Sequence, residues 1–134
     1  MIGLDTNVLV RYIMQDDPRQ SPEAGRLIES LTADAPGFVA VVSVIELVWV
    51  LSSAYRLTRT QVGDALDILL RTREIVVDRA ELVLRALATY RGSSADFADC
   101  LIERIAASAG CERTMTFDVG ASKAAGMVLI RVPS

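Results

Sequence analysis

Hydrophobic and polar residues alternate in blocks along the chain, and the blocks predict short buried strands separated by helices. Apolar runs of strand length, several of them rich in β-branched residues, indicate buried strands, and they span residues 1–4, 38–42, 74–77, 113–117 and 127–132. Helical periodicity and start or stop signals predict helices over 6–14, 22–31, 43–55, 58–71, 94–109 and 119–125, and one more that follows Asp78 and ends near Gly92. Among these signals, Ser21 is expected to cap the second helix, Thr58 and Gln61 form a capping box, and Gly110 closes the helix over 94–109.

This alternation of strands and helices predicts an α/β fold. Strands separated by helices form parallel sheets covered by helices on both faces. The chain has the length of one ordinary domain, and about half of its residues are hydrophobic, so we expect residues 1–134 to form a single domain with its own core. In such folds ligands collect at the carboxyl ends of the strands, which directs attention to the residues that follow each strand.

Acidic residues stand at several of these strand ends. Asp5 follows the first strand, Glu46 lies one turn into the helix after the second, and Asp118 follows the fourth. Asp96 and Asp99 lie near the start of a helix, on one face. A helical wheel places Glu103 in the same arc and Arg104 beside it, where it could relieve part of the repulsion. Because the carboxyl ends of parallel strands share one edge of a sheet, we expect these acids to lie close together.

Each acid also has a purely structural explanation. An aspartate at a helix start is a favoured cap, a Ser-x-x-Glu pattern forms a capping box, and first-turn acids interact well with the helix dipole. These explanations apply to Asp5 and Asp118 as caps, to Ser43 with Glu46 as a capping box, and to Asp96 with Asp99 as first-turn acids. Taken together, however, clustered carboxylates are costly without a cation and favour Mg²⁺ or Mn²⁺.

The composition narrows the chemistry further. Histidine is absent, which removes Ser-His-Asp and Cys-His nucleophiles and makes a typical zinc enzyme improbable. Cys100 and Cys111 are too far apart in sequence for a close metal-ligand pair, and we expect reduced thiols. The net charge of −3 argues against broad electrostatic coating of nucleic acid. No apolar run reaches membrane-spanning length, and the first residues show no basic region followed by a long apolar core. We therefore expect no secretory signal and a soluble cytoplasmic protein.

Four motifs in order give the chain a resemblance to PIN-domain proteins, and specifically to the small VapC-type toxins of bacterial toxin–antitoxin pairs. The matching segments are residues 4–10 (LDTNVLV), 42–47 (VSVIEL), 96–102 (DFADCLI) and 116–118 (TFD). The resemblance implies a PIN-like α/β/α sandwich with a central, mostly parallel sheet of about five strands. It also implies a Mg²⁺- or Mn²⁺-dependent endoribonuclease.

The resemblance assigns the acids to the catalytic motif. The four family acids fall on Asp5, Glu46, Asp99 and Asp118, of which Asp5, Asp99 and Asp118 would hold the metal. Asp96 is a further candidate ligand. The supporting positions are Thr6, Asn7, Ser43 and Thr116. Thr6 and Asn7 would orient the Asp5 carboxylate or receive a phosphate, or they would act only as ordinary helix-start residues.

The resemblance also implies partners. Proteins of this kind commonly form homodimers, are inhibited by a cognate antitoxin and cleave structured RNA such as transfer or ribosomal RNA. We look for the dimer interface in the apolar helices over residues 43–71. Trp49 is expected in the core or at that interface, and Arg11 is one of several arginines that could hold the RNA backbone.

Other functions fit the sequence less well. A phosphatase with an aspartate after its first strand needs a second aspartate two residues later, where this chain has Asn7. A receiver domain needs a late lysine at a strand end, whereas Lys123, the only lysine, falls in a predicted helix. The remaining alternative is a module that binds RNA or an antitoxin through a retained acidic pocket without cutting.

Overall fold

The computed structural model describes residues 1–134, and the chain divides into two compact units, Met1–Ala80 and Glu81–Ser134. The elements in chain order are β1 (Ile2–Gly3), α1 (Thr6–Met14), α2 (Gln20–Glu29), β2 (Gly37–Val39), α3 (Val41–Ser53), α4 (Arg59–Arg71), β3 (Ile75–Val77), α5 (Ala80–Arg91), α6 (Phe97–Ser108), β4 (Met115–Thr116), α7 (Val119–Ala124) and β5 (Val128–Leu129). We name Met1–Ala80 unit 1 and Glu81–Ser134 unit 2. That the whole chain is a single domain stays a prediction.

Unit 1 is built on a three-stranded parallel sheet in the order β1-β2-β3. Gly37 stands opposite Ile2 on one side and Ile75 on the other. Helix α1 packs against α2 and α3, while α4 packs against α3 and β3. The interior is aliphatic, since its most deeply buried side chains are Leu9, Val39, Val44, Leu47, Leu51, Val62 and Leu66.

Gly37 allows the sheet of unit 1 to approach the residue that precedes Asp5. A Cβ atom at position 37 would lie 2.7 Å from Cδ1 of Leu4 and 3.0 Å from Cδ1 of Leu31. Both leucines are buried, so neither side chain can swing into solvent without a loss of packing. A residue larger than glycine would therefore force the buried Leu4 side chain to move, a constraint that comes from close contact and not from backbone conformation.

The start of α3 differs from the sequence-based expectation. The apolar run was predicted to stay extended through Val42, but the strand ends at Val39 and Val41 already belongs to the helix. Ala40 is the N-cap and makes no side-chain hydrogen bond. The β preference of valine is weak compared with the packing of Val44 and Leu47, both wholly buried on the inner face of α3.

The predicted caps give a mixed result. The capping box of Thr58 with Gln61 is confirmed, whereas Ser21 does not cap α2, which begins at Gln20. Asp17 satisfies that end instead, because its Oδ1 accepts from the N–H groups of Arg19 and Gln20 at 2.9 and 2.8 Å. The proposed Ser43–Glu46 capping box is also wrong, since both residues lie inside α3.

Unit 2 contains the other two strands. β4 and β5 pair in parallel, with Thr116 opposite Leu129, and α7 connects them and packs on both. Tyr90 of α5 meets Phe97 of α6 edge to face, with ring centroids 5.8 Å apart. After α6 ends, Gly110 adopts a φ of +95°, a conformation that glycine tolerates and that confirms its predicted place at the helix end.

The predicted α/β class and the parallel pairing are confirmed. Five strands form, as expected, but they are distributed between a three-stranded and a two-stranded sheet. None of the helices is both long and apolar enough to cross a membrane.

Candidate metal and catalytic site

Asp5 lies where β1 gives way to α1, and it caps that helix. Its Oδ1 accepts the backbone N–H of Thr6 at 2.8 Å. The side chain is exposed, and Oδ2 stays available for another partner. The capping explanation of Asp5 is thus confirmed, and it occupies only one of the two carboxylate oxygens.

Thr6 connects Asp5 to Glu46. Its side chain is buried, with 6% of the residue exposed, and its Oγ1 donates to Oε1 of Glu46 at 2.9 Å. The backbone of the same residue bonds to Asp5. A purely structural threonine at a helix start would bond to its own helix, whereas this hydroxyl reaches an acid 40 residues away.

Glu46 is presented by the second turn of α3. The residue is exposed and carries a single protein hydrogen bond, from Thr6. Ser43 lies one turn earlier on the same helix and is half-buried. Sequence reasoning found both residues, but it could not foresee which group would hold Glu46, because that partner comes from a different element.

The other two polar residues of α1 face a different direction. Asn7 is exposed and, together with Arg11, lines a cavity of about 370 Å³ between α1 and α2. The Arg11 guanidinium donates to Gln20 Oε1 at 2.8 Å and to the Tyr55 hydroxyl at 3.1 Å. Tyr55 in turn donates to Asp16. Arg11 therefore braces α1 against its neighbours, a role the sequence pattern gave no signal for.

In unit 2 the two acids of α6 differ in their surroundings. Asp96 is the N-cap residue, is exposed, and makes no capping hydrogen bond to the helix. Asp99 lies in the first turn and is half-buried. The predicted placement of both at the helix start is confirmed. Asp99 is a first-turn acid as expected, whereas Asp96 stands one residue before the helix.

Asp118 caps α7 through one oxygen. Its Oδ1 accepts from the N–H groups of Gly120 at 2.7 Å and Ala121 at 3.3 Å. Its own N–H donates to Oγ1 of Thr116 at 3.0 Å, so Thr116 fixes the backbone on which the acid stands. As with Asp5, the helix N–H groups bond only to Oδ1, so Oδ2 of Asp118 can bind another partner.

Asp96, Asp99 and Asp118 line one cavity of about 220 Å³ in unit 2. Its other lining residues are small or uncharged, and none is basic. Partial burial raises the pKa of the Asp99 carboxyl, and the negative charges of Asp96 and Asp118 raise that pKa further. The three carboxylates are therefore close enough to repel one another without a compensating positive side chain.

Carboxylate oxygens in a cavity without basic residues are a donor set that suits Mg²⁺ or Mn²⁺. The carboxylates do not form a closed ligand shell, since no group of three or more histidine, cysteine, aspartate or glutamate side chains is arranged to hold a metal ion. Glu103, which the helical wheel placed with Asp96 and Asp99, pairs instead with Arg104. Arg104 thus relieves part of the repulsion on this helix face, as its place beside the three acids in the sequence suggested.

Comparison with known proteins gives one family and one structural likeness. The model of the PIN-domain family matches residues 2–127. No curated protein matches the chain significantly. Among solved structures, the chain is similar to Mycobacterium tuberculosis VapC20, a toxin that cleaves the sarcin–ricin loop, with 22% identity and a TM-score of 0.46 over 98% of this chain and 100% of that one. At this level the likeness bears on neither substrate nor partner.

Proposed function

Because the chain belongs to the PIN-domain family, we propose that it is a Mg²⁺- or Mn²⁺-dependent endoribonuclease that acts as the VapC-type toxin of a bacterial toxin–antitoxin pair. The four motifs that carry the VapC resemblance lie within the residues that the family model matches. The proposed catalytic acids are Asp5, Glu46, Asp99 and Asp118, with Asp96 as a further metal ligand.

The carboxylate-lined cavity of unit 2 is the observation that carries this proposal. Folding brings Asp96, Asp99 and Asp118 to one cavity, where their charges oppose one another. Like charges on a helix destabilise it by about 0.2–0.5 kcal/mol per pair. A divalent cation would turn this repulsion into attraction, which gives a physical reason for an arrangement that the fold alone does not favour.

The residues have distinct roles in the proposed hydrolysis of an RNA phosphodiester. Asp99 and Asp118 would hold the cation in unit 2, and the family motif assigns Asp5 as a further ligand. A bound divalent ion lowers the pKa of a coordinated water and neutralises charge on the phosphate oxygens. Glu46, held at Oε1 by Thr6, keeps Oε2 to accept a proton from the attacking water.

Cleavage of RNA in defined metal conditions tests the proposal. The purified chain, free of antitoxin, should cut transfer or ribosomal RNA in Mg²⁺ or Mn²⁺ and should be inactive in chelator. Asp5→Asn should abolish both cutting and growth arrest while the protein stays folded. Asp34→Asn is the matched control, because Asp34 is an exposed loop acid outside the proposed set, and it should leave both unchanged.

The same assay separates the nuclease from the alternative of a non-cleaving binding module. A wild-type chain that binds RNA or an antitoxin but cuts nothing in either metal would favour the binding module. Equal cutting with and without chelator would refute the metal-dependent mechanism. Retained toxicity of Asp5→Asn would remove Asp5 from the catalytic set.

The proposed toxin acts in the cytoplasm and pairs with a cognate antitoxin that covers its acidic residues. We also propose a homodimer. Its interface would lie on α3 and α4, since Val42, Trp49 and Ile68 expose 62–67% of their surface there, and exposed large apolar residues on neighbouring helices favour a protein contact. Trp49 is accordingly not a core residue, and the interface remains the interpretation for it.

A further inference from the structure

We propose that Phe117 is a substrate-binding residue that stacks on an unpaired base of the RNA beside the scissile phosphate. This inference rests on the proposed function and specifies a part of the substrate that the acids cannot recognise. It assigns a role to a side chain that contributes nothing to the core.

Phe117 is the exception among the three phenylalanines. Phe97 is 1% exposed and Phe38 is half-buried, whereas Phe117 is 69% exposed. An aromatic ring in water gains no stabilisation from burial. Phe117 also directly precedes Asp118, which lines the carboxylate cavity of unit 2, so the backbone places this exposed ring one residue from a proposed metal ligand.

The backbone on both sides of Phe117 is fixed. On one side, Thr116 pairs with β5, and its carbonyl accepts the N–H of Ile130 at 2.7 Å. On the other side, Asp118 is held by Thr116 Oγ1 and by the N–H groups of α7. A ring with two side-chain torsions on a braced backbone loses little entropy when it is covered, which favours its use as a stacking platform.

The charge of the protein favours a base over other parts of the RNA at this position. The chain carries a net charge of −3 and no basic residue lines the carboxylate cavity, so the phosphate backbone gains little from direct attraction here. Stacking on an aromatic ring is independent of charge and is the usual way in which proteins hold unstacked bases of single strands and loops. An RNA loop or bulge would present such a base.

Substitutions at position 117 separate stacking from simple apolar contact. In cleavage of a hairpin RNA cut by the wild type, Phe117→Ala and Phe117→Leu should both lower kcat/KM about 10–100-fold, while Phe117→Trp should retain it. Because the side chain is exposed, the urea midpoint of all three variants should match that of the wild type. Full activity of Phe117→Leu would overturn stacking, since leucine keeps the apolar surface and loses only the ring.

A modified substrate locates the base that the ring contacts. Removing the base at one nucleotide flanking the cut should impair the wild type as much as Phe117→Ala does, and should have no additional effect on that variant. If every abasic substrate affects the wild type and Phe117→Ala equally, the proposal is wrong. The same holds if Phe117→Ala cuts normally and loses only its affinity for the antitoxin.

A binding measurement distinguishes failure of this inference from failure of the proposed function. Anisotropy of a labelled single-stranded oligoadenylate, in Ca²⁺, should report about tenfold weaker binding by Phe117→Ala than by the wild type or Phe117→Trp. Binding that depends on Phe117 without any cleavage would support the stacking role and refute the nuclease. Cleavage whose rate does not change with the residue at position 117 would support the nuclease and refute the stacking role.

Discussion

Thr6 shows how one residue can serve two acids. Its backbone N–H bonds to Asp5 and its buried hydroxyl bonds to Glu46, so the rotamer of Glu46 depends on a residue of another helix. An acid whose orientation is fixed before substrate arrives needs no reorganisation during the reaction. Loss of the Thr6 hydroxyl should therefore lower the rate of the chemical step more than the free energy of unfolding.

Replacing the hydroxyl alone tests this role. Thr6→Val keeps the shape and removes the bond to Glu46, and kcat should fall about 10–100-fold, as expected for a hydrogen bond to a charged group. KM should change little. Thr6→Ser, which keeps the hydroxyl, is the control and should stay within a few-fold of the wild type. Equal activity of the valine and wild-type proteins would show that Glu46 needs no such support.

The charge of Asp99, which the proposed metal site needs, lowers the stability of the metal-free protein. Its folded-state pKa is raised, by partial burial first and then by Asp96 and Asp118. Between its ordinary pKa of 3.8 and the raised value, the folded state binds more protons than the unfolded state. The contribution of Asp99 to the free energy of unfolding is thus largest at low pH and is lost as the pH rises through this window.

Asp99→Asn should consequently be inactive but more stable without metal. Removing the charge relieves repulsion from Asp96 and Asp118 and should raise the free energy of unfolding in chelator by a few tenths of a kcal/mol. Urea unfolding at pH 7 with EDTA measures this difference. Asp34→Asn again serves as the control, and a destabilised Asp99→Asn would show that the carboxylate makes a favourable contact in the metal-free protein.

At the scale of elements, sequence patterns were most reliable where local chemistry decides the structure. The helix over Thr6–Met14 was predicted with its observed bounds, because an aspartate cap and apolar periodicity point to the same start. The boundary between β2 and α3 was not, because Val41 and Val42 suit either state and the choice rests on packing. The prediction that Ser21 caps α2 was wrong because Asp17, which precedes the helix, accepts the N–H of Gln20 instead.

The capping box of α4 allows a direct test of such local chemistry. Thr58 accepts from the Gln61 N–H at 3.1 Å, and the Gln61 side chain accepts from the Thr58 N–H at 2.9 Å. Thr58→Ala should lower the free energy of unfolding by about 1 kcal/mol. Thr60→Ala, an exposed position within the first turn, should change it by less than about 0.5 kcal/mol. Equal losses for both variants would mean that the cap adds no stability.

For the acids of the site, too, the sequence predicted what local patterns decide and missed what contacts between distant residues decide. Positions at strand ends and helix starts singled out the five acids in the sequence, namely Asp5, Glu46, Asp96, Asp99 and Asp118. The caps that Asp5 and Asp118 form were also foreseen. The bond from Thr6 to Glu46 was not foreseen. It depends on side-chain directions, which periodicity leaves undetermined.

For the whole molecule, the single tryptophan offers a probe of the proposed dimer. Trp49 is 67% exposed on α3, so its fluorescence reports on that surface alone. Concentrating the protein through its monomer–dimer transition, located by sedimentation, should shift the emission to the blue as the indole leaves water. Trp49→Glu should weaken dimerisation by placing a charge in the contact. A transition without any spectral change would place the interface elsewhere.

The close approach at Gly37 has a consequence for genetics. Under the proposed activity, expression of the chain without its antitoxin would arrest growth, and survivors would carry inactivating mutations. Many would alter an acid, but substitutions at Gly37 should recur among them. A side chain there would press on Leu4 and Leu31, and we expect movement of Leu4 to disturb the adjoining Asp5. Such a selection would thus identify an inactivating position whose own side chain takes no part in the reaction.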